Sequence, residues 1–229
     1  MSELYQTLLS LKEEFHPLFL PDLDAGNTYL LDFSSANRSL EHMDFGNPSQ
    51  VHEFIARLLK THGKKYGYGG YMENRNLYKV SDLFFNKQDE VRNIHLGVDI
   101  WAEAGEQVYA PLQGKVHSFK NNDRLGDYGP TIILEHQIKE HRFFTLYGHL
   151  SPESLERLFQ GLVIKHGEPF CSIGNFPANG NWPPHLHFQV IGDMMGFQGD
   201  YPGVCHSHEV NTFEQICPDP KLFFDNLFV

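Results

Sequence analysis

The segment His95-Leu96-Gly97-Val98-Asp99-Ile100 has the make-up of a β-strand with two unlike faces. Gly97 and the β-branched Val98 and Ile100 favour strand over helix. Alternate side chains of a strand share a face. His95, Gly97 and Asp99 then point one way, and Leu96, Val98 and Ile100 the other. Gly97 leaves a gap between a histidine and a carboxylate, with room there for a metal ion. Taken alone, H-x-x-x-D also fits a half-exposed strand carrying two incidental polar residues.

Two later segments are built the same way. In Pro184-His185-Leu186-His187-Phe188-Gln189-Val190, the residues His185, His187 and Gln189 share a face behind which Leu186, Phe188 and Val190 form an apolar back. Histidines at i and i+2 of a strand lie roughly 6.5 to 7 Å apart at Cα. Both can reach one small site, one binding a metal and the other addressing a metal-bound water. Phe143 to Ser151 (FFTLYGHLS) places Thr145, Tyr147 and His149 on one face, and Phe144, Leu146 and Leu150 on the other. Three strands that each bring histidine to a polar face are far less expected by chance than one.

Around these segments, from about residue 86 onward, short β-type runs alternate with turn residues. The runs are 94–101, 107–109, 114–119, 131–135, 143–150, 162–164 and 187–191, broken at Gly105, Pro111, Gly114, Gly129-Pro130, Gly167 and Pro183-Pro184. This pattern predicts a mainly β, antiparallel sandwich or barrel. Upstream, residues 2–14 read as an amphipathic helix, and Thr28 to Phe33 as a strand. A second helix runs from Pro48 to about Thr61, with Asn47 as N-cap and Gly63 ending it. Tyr66 to Tyr71 (YGYGGY) reads as a Gly/Tyr loop. The expected division is an α-containing N-terminal region, residues 1–85, packed on a β domain of residues 86–229.

Composition narrows the partners. Of 229 residues, 41% are hydrophobic, which suffices for a core. The net charge of -11 argues against nucleic acid, whose phosphates need basic clusters. Cys171, Cys205 and Cys217 are too few and odd in number for a disulfide framework and suit free thiols. No apolar run reaches membrane-spanning length. The N-terminus, with Glu3 and Glu13-Glu14, lacks the features of a signal peptide. A cytoplasmic protein is expected, or a secreted or periplasmic one if a leader was removed. The oligomeric state has no signature here.

The motifs HLGVD, YGHLS and PHLHFQ, in that order, resemble the lysostaphin/LytM-type metallopeptidases, whose pattern is H-x-x-x-D, then G/M-H-L-S, then H-L-H-F. AEAGEQVYAPLQGKV, DYGPTIILEH and LVIKHGEPFCSIGN are similar to that family's intervening segments. The resemblance covers about residues 90 to 192. It implies a duplicated-hybrid-motif β core and a Zn²⁺ held by His95, Asp99 and His187, with His149 and His185 as catalytic residues beside the metal-bound water. It further implies endopeptidase hydrolysis of a peptide, in peptidoglycan-type or Gly/D-amino-acid substrates. Two imidazoles and a carboxylate suit zinc and leave a fourth position open. No H-E-x-x-H occurs, so a helical zinc-protease site is excluded. The competing functions are hydrolysis of a different soluble amide and a non-catalytic binding module on the same fold; the five filled positions argue against the latter.

Two segments fall outside these motifs. Cys205-His206-Ser207-His208 has metal-friendly residues without strand alternation and reads as incidental, with an accessory site as the alternative. Tyr66 to Asn76 is expected to connect, or to wall or cover a substrate groove, with Arg75 pairing with a substrate carboxylate through its planar fork. His16, His42, His52, His62, His117, His136, His141 and His166 fit surface or satisfied-core roles.

Overall fold

Alternation of apolar and polar residues produces strands, most of which pair into one sheet. The computed structural model describes residues 3–77, 82–85 and 90–228. In chain order its main elements are α1 (Glu3–Leu9), β1 (Thr28–Leu30), α2 (Pro48–His62), β2 (Tyr66–Gly69), β3 (Ile94–His95), β4 (Val98–Trp101), β5 (Gln107–Tyr109), β6 (Gly114–Asn122), β7 (Gly129–Ile138), β8 (His141–Gly148), β9 (Val163–Ile164), β10 (Pro169–Ser172), β11 (His185–Ile191), β12 (Val204–Cys205) and α3 (Val210–Ile216). The fold is mainly β, as the turn-punctuated runs require. Eight strands form one sheet in the order β1-β2-β4-β11-β8-β7-β6-β9, and β5/β10 and β3/β12 form two small ribbons. Every pairing is antiparallel except β1 with β2.

The apolar backs of β4 and β11 lie in one core, but β8 presents the face opposite to the one expected: Tyr147 packs opposite Phe188 in that core, and Phe144 and Leu146 join a second cluster on the Gln189 side. Val98, Ile100, Leu186, Phe188 and Val190 join Leu8, Leu18, Phe19 and Leu23 of the N-terminal segment and Phe223 and Phe224 near the C-terminus in one core. The sheet and its core therefore run without a break across residue 85.

Three local expectations change. The helix expected over residues 2–14 closes at Leu9, where the Ser10 hydroxyl donates to the Thr7 carbonyl, and a 3₁₀ turn over Lys12–Glu14 follows. The single run 94–101 divides at Leu96-Gly97: β3 pairs with β12, whereas β4 pairs with β11 and β2. Tyr66 to Gly69 is an inner strand, not a loop. Its Gly/Tyr alternation has period two: Tyr66 and Tyr68 enter the core, and the glycines present a bare face. A Cβ on Gly69 would sit 2.8 Å from the Trp101 ring. The second helix follows its signals, with the Asn47 side chain accepting from Gln50 N–H and Gly63 left-handed at φ 62°.

All three cysteines are free and buried. No helix among the described residues is long and apolar enough to cross a membrane.

Gly69→Val places two methyl groups where the Trp101 ring lies. A loss of about 1 to 3 kcal/mol in stability is expected, seen as a lower thermal midpoint. An unchanged midpoint would mean that β2 does not hold Trp101 in this contact.

Candidate metal centre

Strand register brings the polar faces together. In the β4/β11 pair, His187 lies opposite Asp99 and His185 opposite Trp101, and Gly148 flanks His187 on the β8 side. His95 reaches the same point from β3. His95 Nε2, His187 Nδ1 and Asp99 Oδ1 form a small triangle: 3.0 Å between the two nitrogens, 3.3 Å from His95 to Asp99 and 3.2 Å from His187 to Asp99. Among the described residues this is the one His/Cys/Asp/Glu group close enough to share an ion. Gly97 is required here. A Cβ on it would lie 2.8 Å from the His187 ring and 2.6 Å from the Phe188 carbonyl oxygen. The room left by the missing side chain holds the His187 imidazole.

The protons of this cluster are committed elsewhere. His95 Nδ1 lies 3.0 Å from the Gly70 carbonyl oxygen and must donate to it. The Gln189 amide nitrogen donates to the Pro202 carbonyl and the Cys217 sulfur, so its oxygen faces His187 Nε2 at 3.0 Å and accepts from it. Burial, aided by the Arg75 charge, pushes His95 down to about 4, so its ring is neutral at neutral pH. With those outer nitrogens donating, His95 Nε2 and His187 Nδ1 are left to face each other and a carboxylate oxygen. Three acceptors with no proton between them repel unless a cation sits among them. Four ligands at zinc distances around a tetrahedron stand about 3.3 Å apart, so this triangle matches one face of that polyhedron. Two imidazoles and a carboxylate also form the borderline donor set that zinc takes.

Asp99 is held from behind. Arg75 Nη1 donates to its outer oxygen, Oδ2, at 2.5 Å, and Arg75 Nε donates to Glu73 Oε2. Burial alone would raise the Asp99 carboxyl, but the positive field of its neighbours, the Arg75 guanidinium among them, holds it well below the usual carboxylate range. Burial raises Glu73, against the pull of Arg75. Arg75 is only 1% exposed. This corrects the expectation that it meets a substrate carboxylate: its charge is taken up by two carboxylates of its own chain. The rest of its segment is equally fixed. Met72 N–H donates to His95 O and His95 N–H to Glu73 O, so residues 72–75 run as a support beside β3.

His149 and His185 stand beside the triangle with ring centroids 4.2 Å apart. His149 was expected on a strand face. It lies one residue past β8 with a left-handed φ of 61°, a conformation costly for a non-glycine residue and concentrated at functional sites. That turn aims its ring inward, where Nδ1 donates to Asn179 O at 2.9 Å. His185 Nδ1 donates to Pro183 O at 2.6 Å, and its Nε2 stands 3.9 Å from Asp99 Oδ1. In both rings Nε2 keeps its lone pair. Burial first, then neighbouring histidines, keeps His149 well below the ordinary range, and burial lowers His185. Both are neutral acceptors at neutral pH. All five histidine and aspartate positions line one cavity of about 250 Å³.

Other sequence candidates fall elsewhere. Cys205 is buried in β12, and the rings of His206 and His208 stack 5.3 Å apart, with His206 and Glu209 capping a short 3₁₀ turn. His136 is a satisfied core residue, bonded to Gln113 O and Thr145 Oγ1. Two contributors carried no assigned role in the sequence. Gln189 had a signal, since H-x-H-x-Q puts it on the histidine face. Tyr128, whose ring lies 5.1 Å from His187 and 5.6 Å from His149, had only its turn motif. The backbone acceptors Gly70, Asn179 and Pro183 have no side-chain signature at all.

A mainly β protein with a His-Asp-His cluster at the centre of its sheet is the class that fold and site define. Residues 93–198 match the model described as peptidase family M23, and over this segment the chain is similar to that family. Among solved structures the chain is similar to the catalytic domain of the antimicrobial peptidase lysostaphin from Staphylococcus simulans, at 22% identity over 53% of this chain and 80% of that one, with a TM-score of 0.37. It is also similar to a zinc-containing peptidase from Vibrio cholerae, at 24% identity over 46% of this chain and 29% of that one, TM-score 0.33. The catalytic domain of the prophage-encoded M23 protein EnpA from Enterococcus faecalis matches at 19% identity over 50% of this chain and 81% of that one, TM-score 0.37. The chain thus spans under a third of the Vibrio protein. No match is found among curated proteins.

Gln189→Leu removes the acceptor that fixes the His187 tautomer while keeping an apolar side chain of similar size. Zinc affinity, measured by competition with a chromophoric chelator, is expected to fall roughly 10- to 100-fold. Unchanged affinity would mean that Gln189 does not orient the ring.

Proposed function

We propose that this protein is a zinc-dependent metallo-endopeptidase in which His95 Nε2, Asp99 Oδ1 and His187 Nδ1 hold the ion. One observation carries the reading: His95 Nε2, His187 Nδ1 and Asp99 Oδ1 converge within 3.0 to 3.3 Å in a buried site, while the far ring nitrogens meet the Gly70 and Gln189 oxygens. Zinc bound there supplies Lewis acidity and lowers the pKa of a coordinated water towards about 7. The chain's own residues do the rest. Arg75 occupies Asp99 Oδ2, leaving Oδ1 for the ion and holding the carboxylate ionised. His149 and His185 keep their Nε2 lone pairs on the cavity side, the state a general base needs before reaction. One takes a proton from the nucleophile. The other, or the same ring once protonated, donates to the developing oxyanion or the leaving amine. The Asn179 and Pro183 carbonyls hold the two rings in one tautomer throughout. The family match supports a peptide bond as the target, and peptidoglycan-type or Gly/D-amino-acid peptides are the substrates the resemblance implies.

Ligand and base roles separate in mutants. His187→Ala is expected to lose zinc and activity together. His149→Ala should keep stoichiometric zinc while turnover falls roughly 10²-fold or more. Metal analysis alongside peptide-hydrolysis kinetics reads both, and equal zinc loss in the two variants would overturn the assignment.

A further inference from the structure

The cavity at the candidate metal centre extends beyond its polar residues. Past His185 it is lined by Phe33, Val51, Leu77, Trp101 and Val204, all of them buried and three of them from the N-terminal segment. The connection to the site is direct. The Trp101 ring stacks on His185 at 5.6 Å and on Phe33 at 5.0 Å, so an aromatic surface runs from the catalytic histidine pair into the apolar recess. A glycine-rich peptide has no side chain to place there. Wetting such a wall is unfavourable, whereas an apolar group that enters it leaves water. A cavity of about 150 Å³ with aliphatic and aromatic walls admits a benzene ring. The 250 Å³ here therefore has room for one large side chain as well as the reacting group.

We propose that this recess is a specificity subsite for a large apolar side chain, aromatic or branched aliphatic, on the residue adjoining the scissile bond. This rests on the metallopeptidase reading for the position of that bond and departs from the glycine preference the resemblance implies. The substrate class becomes peptides with a bulky apolar residue at the cleavage point. The N-terminal segment supplies Phe33, Val51 and Leu77 to the recess, so it is part of the recognition surface.

The test uses two hydroxamic acids with the same metal-binding group, acetohydroxamic acid and 3-phenylpropanohydroxamic acid. Their binding to the zinc-loaded full chain is measured by calorimetry. The phenyl-bearing probe is expected to bind roughly 10- to 100-fold tighter, the factor for burying one aromatic side chain. Val51→Phe, which fills the recess from α2, and separately Val204→Phe should abolish the difference while leaving acetohydroxamic acid affinity and zinc content unchanged. Equal affinity of the wild-type chain for the two probes, including failure to bind either, overturns the subsite. The wild-type ratio needs no variant to fold. Hydrolysis is scored apart from it, on peptides that place Phe, Leu or Gly at the cleaved bond. Cleavage with no preference over Gly would sink the subsite and leave the peptidase standing. A tight phenyl probe with no peptide cut would sink the peptidase, and with it the link to a scissile bond, and leave only an apolar ligand recess beside the metal.

Discussion

Electrostatic repulsion among three buried acceptors is the constraint on which the rest of the site depends. His95 Nε2, His187 Nδ1 and Asp99 Oδ1 stand 3.0 to 3.3 Å apart in a buried setting, and their protons are held by Gly70 O and Gln189 Oε1 on the outer side. Unpaired polar groups are costly to bury. The apolar backs of β4 and β11, with Tyr147 of β8 and the aromatic residues that cover them, hold the strands in register against that cost. A cation would turn the repulsion into attraction, so a centre of this kind couples metal binding to fold stability.

Each surrounding feature has a function in that arrangement. Gly97 lets the His187 ring cross the strand where a Cβ would collide with it. Arg75 offsets the Asp99 charge from the side away from the two histidines, and Glu73 in turn partners Arg75, giving a chain of alternating charge that leads out of the site. The strained backbone at His149 turns a ring from the end of β8 into the cavity. The segment 66–75 supplies an inner strand, the Gly70 acceptor and the Arg75 counter-charge, so the site is assembled from both sides of residue 85.

The sequence made the strands and the five converging side chains legible because period-two alternation encodes which residues share a face. H-L-H-F-Q carries that code intact; in β8 it is inverted, with Tyr147 opposite Phe188 in the core and Leu146 beside Gln189, so His149 reaches the site through its left-handed turn, and His95 reaches it from a separate strand. It was less legible where one code has two meanings. YGYGGY contains enough glycine to read as a loop, yet in β2 the glycines face Leu31 and Trp101 and only the tyrosines need a core. Arg75 read as a partner for a substrate carboxylate, and only the tertiary path that lays 72–75 along β3 shows that its partner is Asp99, 24 residues away. Backbone carbonyls that set the histidine tautomers are invisible to residue identity, since every residue has one. The apolar recess is likewise a property of packing between distant segments.

X-ray absorption at the zinc edge of the zinc-loaded chain tests the central claim most directly. The account predicts one ion per chain, nitrogen and oxygen ligands at about 2.0 to 2.1 Å and the outer scattering of two imidazoles. A sulfur shell at about 2.3 Å, or zinc that fails to reach one equivalent, would contradict it.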